Sequence, residues 1–321
     1  MATGVLSSRL TPLLVVALFI ALAPLAFPSN YYFRIGALLF INTISVTGLV
    51  VLMGYAGQIS LGHAGFFGIG AYAAAVGPAH LGLSPVVSLI GGVVLAMLVA
   101  ALIGRPILRL RGHYLAVATL GFGILVYIVA TNEAGWTGGP DGMAVETLPV
   151  RDLIRLTGWR ASTPQAWYIF LGVVLIAVMW LTLNLRDSPS GRALRALHDS
   201  PVAASTLGVD VGFLKLQAFV LSAALAGLAG GLFAQFNQFV NPAAASFTHS
   251  VELVAMAVLG GSGSIIGALV GAALLTVLPQ ALTFLQAYES VFLGLIMMLT
   301  MIFMGRGLVP TISGMLGTQR A

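Results

Sequence analysis

Residues 54–72 read Gly54-Tyr55-Ala56-Gly57-Gln58-Ile59-Ser60-Leu61-Gly62-His63-Ala64-Gly65-Phe66-Phe67-Gly68-Ile69-Gly70-Ala71-Tyr72, between two strongly apolar stretches. Hydrocarbon satisfies neither loose backbone nor polar side chains. At membrane depth such a stretch is stable only when packed in protein or lining a watery cavity. Glycine density there predicts a broken helix, and Gln58, Ser60 and His63 predict that the break borders a translocation pathway.

The surrounding composition demands that setting. The chain has 321 residues, of which 59% are hydrophobic and 7% charged, against about 25% charged in soluble domains. Several apolar runs reach the roughly 20 residues that span a bilayer core. The fold class is an all-α, polytopic transmembrane bundle. With no cysteine, disulfides and thiol chemistry are excluded. The net charge of +5 is scattered among helix ends, which speaks for membrane orientation rather than a nucleic-acid partner.

Hydropathy places about ten spans, near residues 10–27, 33–53, 61–77, 85–103, 114–131, 166–185, 216–239, 251–260, 265–285 and 291–303. The third and eighth are short and glycine-broken. The first follows Arg9 and contains Ala21-Leu22-Ala23, a signal-peptide-like triplet, but Pro24 comes next and an uncleaved span is expected. Counting Arg9, Arg105, Arg109, Arg111, Arg186, Arg192, Arg195, Lys215, Arg306 and Arg320 on one side leaves Arg34, Arg151, Arg155 and Arg160 on the other: ten plus four, the chain's 14 basic residues. This bias places both termini in the cytoplasm, as an even span number requires. The whole chain reads as one permease domain, 1–321.

Two loops stand out. The outer one, 132–165, holds Thr137-Gly138-Gly139-Pro140-Asp141-Gly142, strong turn chemistry. The inner one, 186–215, contains Gly191-Arg192-Ala193-Leu194-Arg195-Ala196-Leu197 as a helix start, with a second short helix from Pro201 to Gly208. Its basic face suits anionic lipid headgroups. Its apolar edge, Leu194 and Leu197, suits a groove on a partner protein. Helices two to five and seven to ten hint at an inverted repeat, with residues 57–60 set against 261–264, whose Gly261 and Gly263 also break a helix.

Single residues leave alternatives open. His63 is either a packed histidine pinning the break or a substrate contact, and Gln58 and Ser60 either cap exposed backbone or line the path. Glu252 is either held at a helix start by the dipole or serves as a gate. Asn42, Gln235 and Asn237 either bond between helices or face the path. The four-residue recurrences Ala223, Gly227, Gly231 and Gly263, Gly267, Gly271 mark close helix packing, within the bundle or between subunits. No phosphate loop, HExxH or nucleophile elbow occurs, so no enzyme activity, metal or cofactor is expected. An ATP-independent carrier would need ionisable groups at midplane, and the spans have almost none.

Residues 54–72 match G-Y-x-G-Q-x-S-L-G-H-x-x-F-x-x-x-G-A-Y, and the chain resembles the M-type permease of branched-chain amino acid ABC importers. Leu110-Arg111-Gly112-His113-Tyr114-Leu115-Ala116 fits a second family block, with His113 where aspartate or small residues are usual. Gly138 to Gly142, Leu259 to Ser264 and Leu278-Pro279 also fit. The resemblance implies an H-type permease as heterodimer partner, two cytoplasmic ATPases, an extracytoplasmic binding protein and a bacterial inner-membrane location. It further implies that Gly191, Arg192, Leu194, Arg195, Leu197 and Gly208 belong to the element that docks on the ATPase. His198-Asp199-Ser200-Pro201 departs from the arginine and acidic residues usual there. Related permeases carrying urea, short amides or sugars define the alternative cargo.

Overall fold

The structure, a computed structural model, describes residues 13–110, 112–155 and 161–281, together with 291, 294–295, 298, 302 and 307–311. Helices α1 (Leu13–Leu25), α2 (Asn30–Tyr55), α3 (His63–Leu81), α4 (Pro85–Ile107) and α5 (His113–Asn132) form the first half. The second half is α6 (Thr163–Asp187), α7 (Pro189–Asp199), α8 (Pro201–Thr206), α9 (Val211–Asn237), α10 (Phe247–Gly260) and α11 (Ile265–Ala281). By length and composition α2, α4, α5, α6 and α9 can each cross a membrane. The span expected at 291–303 lies largely outside the described residues.

Helix starts follow local chemistry. Ser84-Pro85, Ser188-Pro189 and Ser200-Pro201 each put a serine at the cap and a proline in the first turn. Their hydroxyls accept from Val87, Gly191 and Ala203. Proline loses nothing there, because a first-turn amide has no helical acceptor anyway. Asp210 and Ser246 cap α9 and α10 in the same way.

The core is built around α3 and α9, which pack on each other and on α4. Contact is backbone to backbone: a Cβ on Gly70 would collide with the Gly227 carbonyl, and one on Gly230 with the Phe67 carbonyl. The recurrent small residues therefore serve packing within this chain. Gly227 and Gly231 face Ala96 and Leu89 of α4, while Gly267 and Gly271 face Gly260 and the Met256 carbonyl of α10. By contrast, α4 and α5 bury only 22% and 28% of their apolar windows, so their outward faces meet lipid or another subunit.

Helices α2 and α9 run antiparallel, since Arg34 reaches Asn237 and Gly48 accepts from Ser222. Loop residues Met143–Ala144 (β1) pair antiparallel with Phe239–Val240 (β2), directly after α9. The outer loop is thereby tied to the chain just before α10.

Candidate functional site

The first break begins inside α2. Its end, Val50–Tyr55, widens into a π-helical turn, a distortion common at functional sites. Gly57 then turns the chain at φ +65°, and residues 56–62 run irregularly to α3. Neighbouring helices satisfy two amides of the exposed backbone. Leu61 N–H donates to Thr119 Oγ1 at 3.1 Å and Ala64 N–H to Ser250 Oγ at 3.0 Å. Gly62 lies so close to α5 that a Cβ would enter the Thr119 carbonyl, and Gly65 faces Gly123.

Gln58, Ser60 and His63 are enclosed, at 3%, 1% and 0% exposure. The hydroxyl of Ser222 donates to the Gly48 carbonyl at 2.7 Å, which leaves its oxygen to receive His63 Nε2 at 3.4 Å. His63 thus joins α2, α3 and α9 at the break.

A second break follows α9. Gln238 adopts φ +58°, residues Pro242–Ala245 form one 3-10 turn, and α10 starts at Phe247. Its first turns meet those of α3: Ser250 accepts from Ala64, Ala245 faces Gly68, and the rings of His249 and Phe67 lie 4.8 Å apart, edge to face. Two antiparallel long helices therefore each lead through a left-handed residue and an irregular segment into a further helix starting inside the bundle, α10 short at 14 residues but α3, expected to be short, running 19. The counterpart of 56–62 is 238–246, and the pairing of 57–60 with 261–264 is corrected. Gly261 (φ +110°) instead ends α10, Gly263 has open space beside it, and Gly54 abuts the Ser262 carbonyl.

A cleft of about 560 Å³ opens between α2, α9, α10 and α11. Asn42 and Glu252 line it with His249, Asn241, Thr248, Thr276 and Gln280, while Phe67, Phe233, Met256 and Leu275 form apolar walls. Asn42 Nδ2 donates to Thr276 Oγ1 at 3.0 Å, and His249 Nδ1 lies 3.3 Å from Glu252 Oε2. A neighbouring cleft of about 460 Å³ shares Leu38, Phe233 and Asn241 and carries Arg34, Asn237 and Phe239. Together they form a trough, apolar-walled with polar groups set into it, running past β2.

Of the residues expected along the path, Asn42, Asn237 and Glu252 reach this trough; Gln58, Ser60 and His63 sit at the sheltered break. Gln235 does neither, bonding from its amide to the Pro85 carbonyl at 2.9 Å. Because α10 starts at Phe247 rather than Val251, Glu252 stands in its second turn. The helix dipole acts mainly on the first turn, so it does not account for this carboxylate. Arg34, Asn241, His249 and Thr276 escaped the sequence reading. Arg34, Leu38 and Asn42 share one face at four-residue spacing, a signal that was present.

On the end rich in basic residues, α7 and α8 fold against the bundle. Gly191 sits on the carbonyls of Leu185 and Arg186. Leu194 and Leu197, 3% and 1% exposed, point into this chain's own core, so the apolar edge expected to enter a partner is corrected: it is occupied. Arg192 and Arg195 are exposed, and Arg192 donates to the Asp187 carbonyl at 2.9 Å. Free apolar surface is offered instead by Val202 (74%) and Leu207 (80%), beside Gly208 at φ +80°. The His198 ring lies against Gly57 of the first break.

Residues 31–301 match the family model described as branched-chain amino acid transport system / permease component. Among similar proteins, the high-affinity branched-chain amino acid transport system permease protein LivM of Escherichia coli K12 is 36% identical over 296 residues, 86% of this chain and 69% of that protein. The Salmonella typhimurium LivM is 37% identical over 82% of this chain and 66% of its own length, so the chain spans about two thirds of these relatives. LivH of Salmonella typhimurium, a permease protein of the same named system, is 28% identical over 76% of this chain and 81% of that protein. No solved structure matches the chain. The chain belongs to the branched-chain amino acid transport permease family, as a multi-pass membrane protein built around two broken helices.

Proposed function

We propose that this chain is the M-type membrane subunit of an ATP-driven importer, and that it forms half of a translocation path for branched-chain or other small amino acids. The observation that carries this reading is the trough. Asn42, His249 and Glu252 stand among apolar walls, on helices that are themselves apolar, and such groups at membrane depth belong on a watery path. The LivM and LivH relatives suggest that an H-type permease completes it. The basic end faces the cytoplasm of a bacterial inner membrane, both termini included.

On that side two ATPases dock, chiefly on Arg192, Arg195, Val202 and Leu207. Their closure moves α7, and α7 bears on the first break through His198 and Gly57. On the opposite side, a loaded binding protein docks on the 132–165 loop, whose β1–β2 ribbon leads to α10. Each docking event favours one of two packings, which is alternating access.

A second reading has one observation behind it: the autoinducer 2 import system permease protein LsrC of Photorhabdus laumondii is 30% identical over 52% of this chain and 51% of that protein, which favours a cargo other than an amino acid as the alternative. The test is reconstitution of all partners in vesicles. ATP-dependent uptake of radiolabelled leucine supports the amino acid reading. Uptake by this chain alone, without ATPases, overturns the importer reading.

A further inference from the structure

We infer that the cleft between α2, α9, α10 and α11 is a built binding stop for a free zwitterionic amino acid, gripping both charges through α10. This rests on the amino acid permease reading and adds that the permease itself recognises cargo, beyond any selection by a binding protein.

The ammonium partner is Glu252. Its side chain is 48% exposed, lines the cleft, and is engaged through Oε2 by His249. One carboxylate oxygen is thus held in place while the other takes no hydrogen bond among the described residues. His249 is fixed in turn by its edge-to-face contact with Phe67, and its Nε2 is buried without a hydrogen-bond partner among the described residues.

The carboxylate partner is the start of the same helix. Ser246 Oγ takes the His249 amide, while first-turn amides such as those of Phe247 and Thr248 have no acceptor within the helix. Thr248 lines the cleft. Four residues of helix separate Thr248 from Glu252, a rise of about 6 Å. An α-amino acid, with a hydrogen bond at each charged end, bridges that distance. Its side chain would then face Phe67, Phe233 and Met256, which favours an apolar one.

The chain has no native cysteine, which permits a direct test. Val251, half-buried at the cleft wall, is replaced by cysteine (V251C). The complex with its partner permease and ATPases is placed in lipid nanodiscs without binding protein, and maleimide labelling of this chain is timed. L-leucine should slow labelling. 4-Methylpentanoate, which lacks the ammonium, and 3-methylbutylamine, which lacks the carboxylate, should each require about tenfold or more higher concentration, the worth of one charge-assisted hydrogen bond. In V251C carrying E252Q, leucine should lose its advantage over 4-methylpentanoate, and E252D should keep part of it.

Equal protection by all three compounds, or an undiminished leucine advantage in E252Q, overturns the proposal. The same preparation in vesicles with binding protein and ATP separates the two levels of the argument. Leucine uptake without any leucine protection of V251C overturns the binding stop alone, whereas absent uptake overturns the amino acid permease reading together with it.

Discussion

The amide of Ala64, in the first turn of α3, donates to the hydroxyl of Ser250, in the first turn of α10, across 3.0 Å and 186 positions of sequence. This bond fastens the two helices where each emerges from its break. Ser250 is 1% exposed and Ala64 fully buried, so water offers the amide no substitute. Replacing Ser250 by alanine should destabilise the protein by about 1–3 kcal/mol, the usual cost of an orphaned buried donor. Thermal unfolding in detergent measures it, with exposed Ser205→Ala as the control expected to be near neutral. An unchanged midpoint for S250A would show that the two starts are not fastened there.

Gly57 couples the break to the cytoplasmic helices. Its φ of +65° disfavours any side chain by about 1–2 kcal/mol, and an added Cβ would lie 3.0 Å from His198 Nδ1. Gly57→Ala should therefore lower both stability and uptake. Combining it with His198→Ala should restore the steric part but leave the backbone part, giving a non-additive double-mutant cycle. Strict additivity in leucine uptake would mean that α7 does not act on the break through this contact.

Gly62 has no room for any side chain, because its Cβ direction points at the Thr119 carbonyl. Even Gly62→Ala should abolish uptake, since backbone on α5 cannot move aside as a side chain can. Gly121→Ala, also on α5 but facing open space, should transport normally. The pair is compared at equal membrane abundance by immunoblot, and normal uptake by G62A would refute the packing of the break on α5.

Val202 on α8 and Leu207 just past its end offer free apolar surface near Arg192 and Arg195 in sequence. Changing both to aspartate should weaken co-purification with the ATPases while leaving membrane insertion intact. Leu194→Asp should act differently: it buries a charge in this chain's own core and should cut abundance instead. If V202D/L207D keeps full ATPase binding, the docking surface is elsewhere.

Much of the bundle was legible because a bilayer imposes one rule, long apolar runs, and because serine-proline pairs mark helix starts locally. The break at 54–72 was legible for the same reason, as glycine and polar side chains are conspicuous in a greasy setting. Its partners were not. Thr119, Ser222 and Ser250 are lone hydroxyls on other helices, and helical periodicity says nothing about which distant backbone such a group will meet. The start of α10 was placed four residues late because Thr248, His249 and Ser250 depress hydropathy, although Ser246 supplied a cap. That error gave Glu252 a dipole partner it does not have. The amphipathic α7 was legible as a helix, but an apolar edge does not announce whether it faces its own bundle or another subunit. Leu194 and Leu197 face their own.

The central claim is that the trough holding Asn42 and Glu252 is a watery path opened and closed by the ATPases. The most direct measurement is labelling of single cysteines by a membrane-impermeant maleimide in the assembled transporter, with the ATPases either nucleotide-free or trapped closed. The account predicts that Asn42→Cys reacts in one state and is shielded in the other, while Leu125→Cys on the exposed apolar face of α5 stays unreactive in both. Reaction at position 125, or none at position 42 in either state, would contradict it.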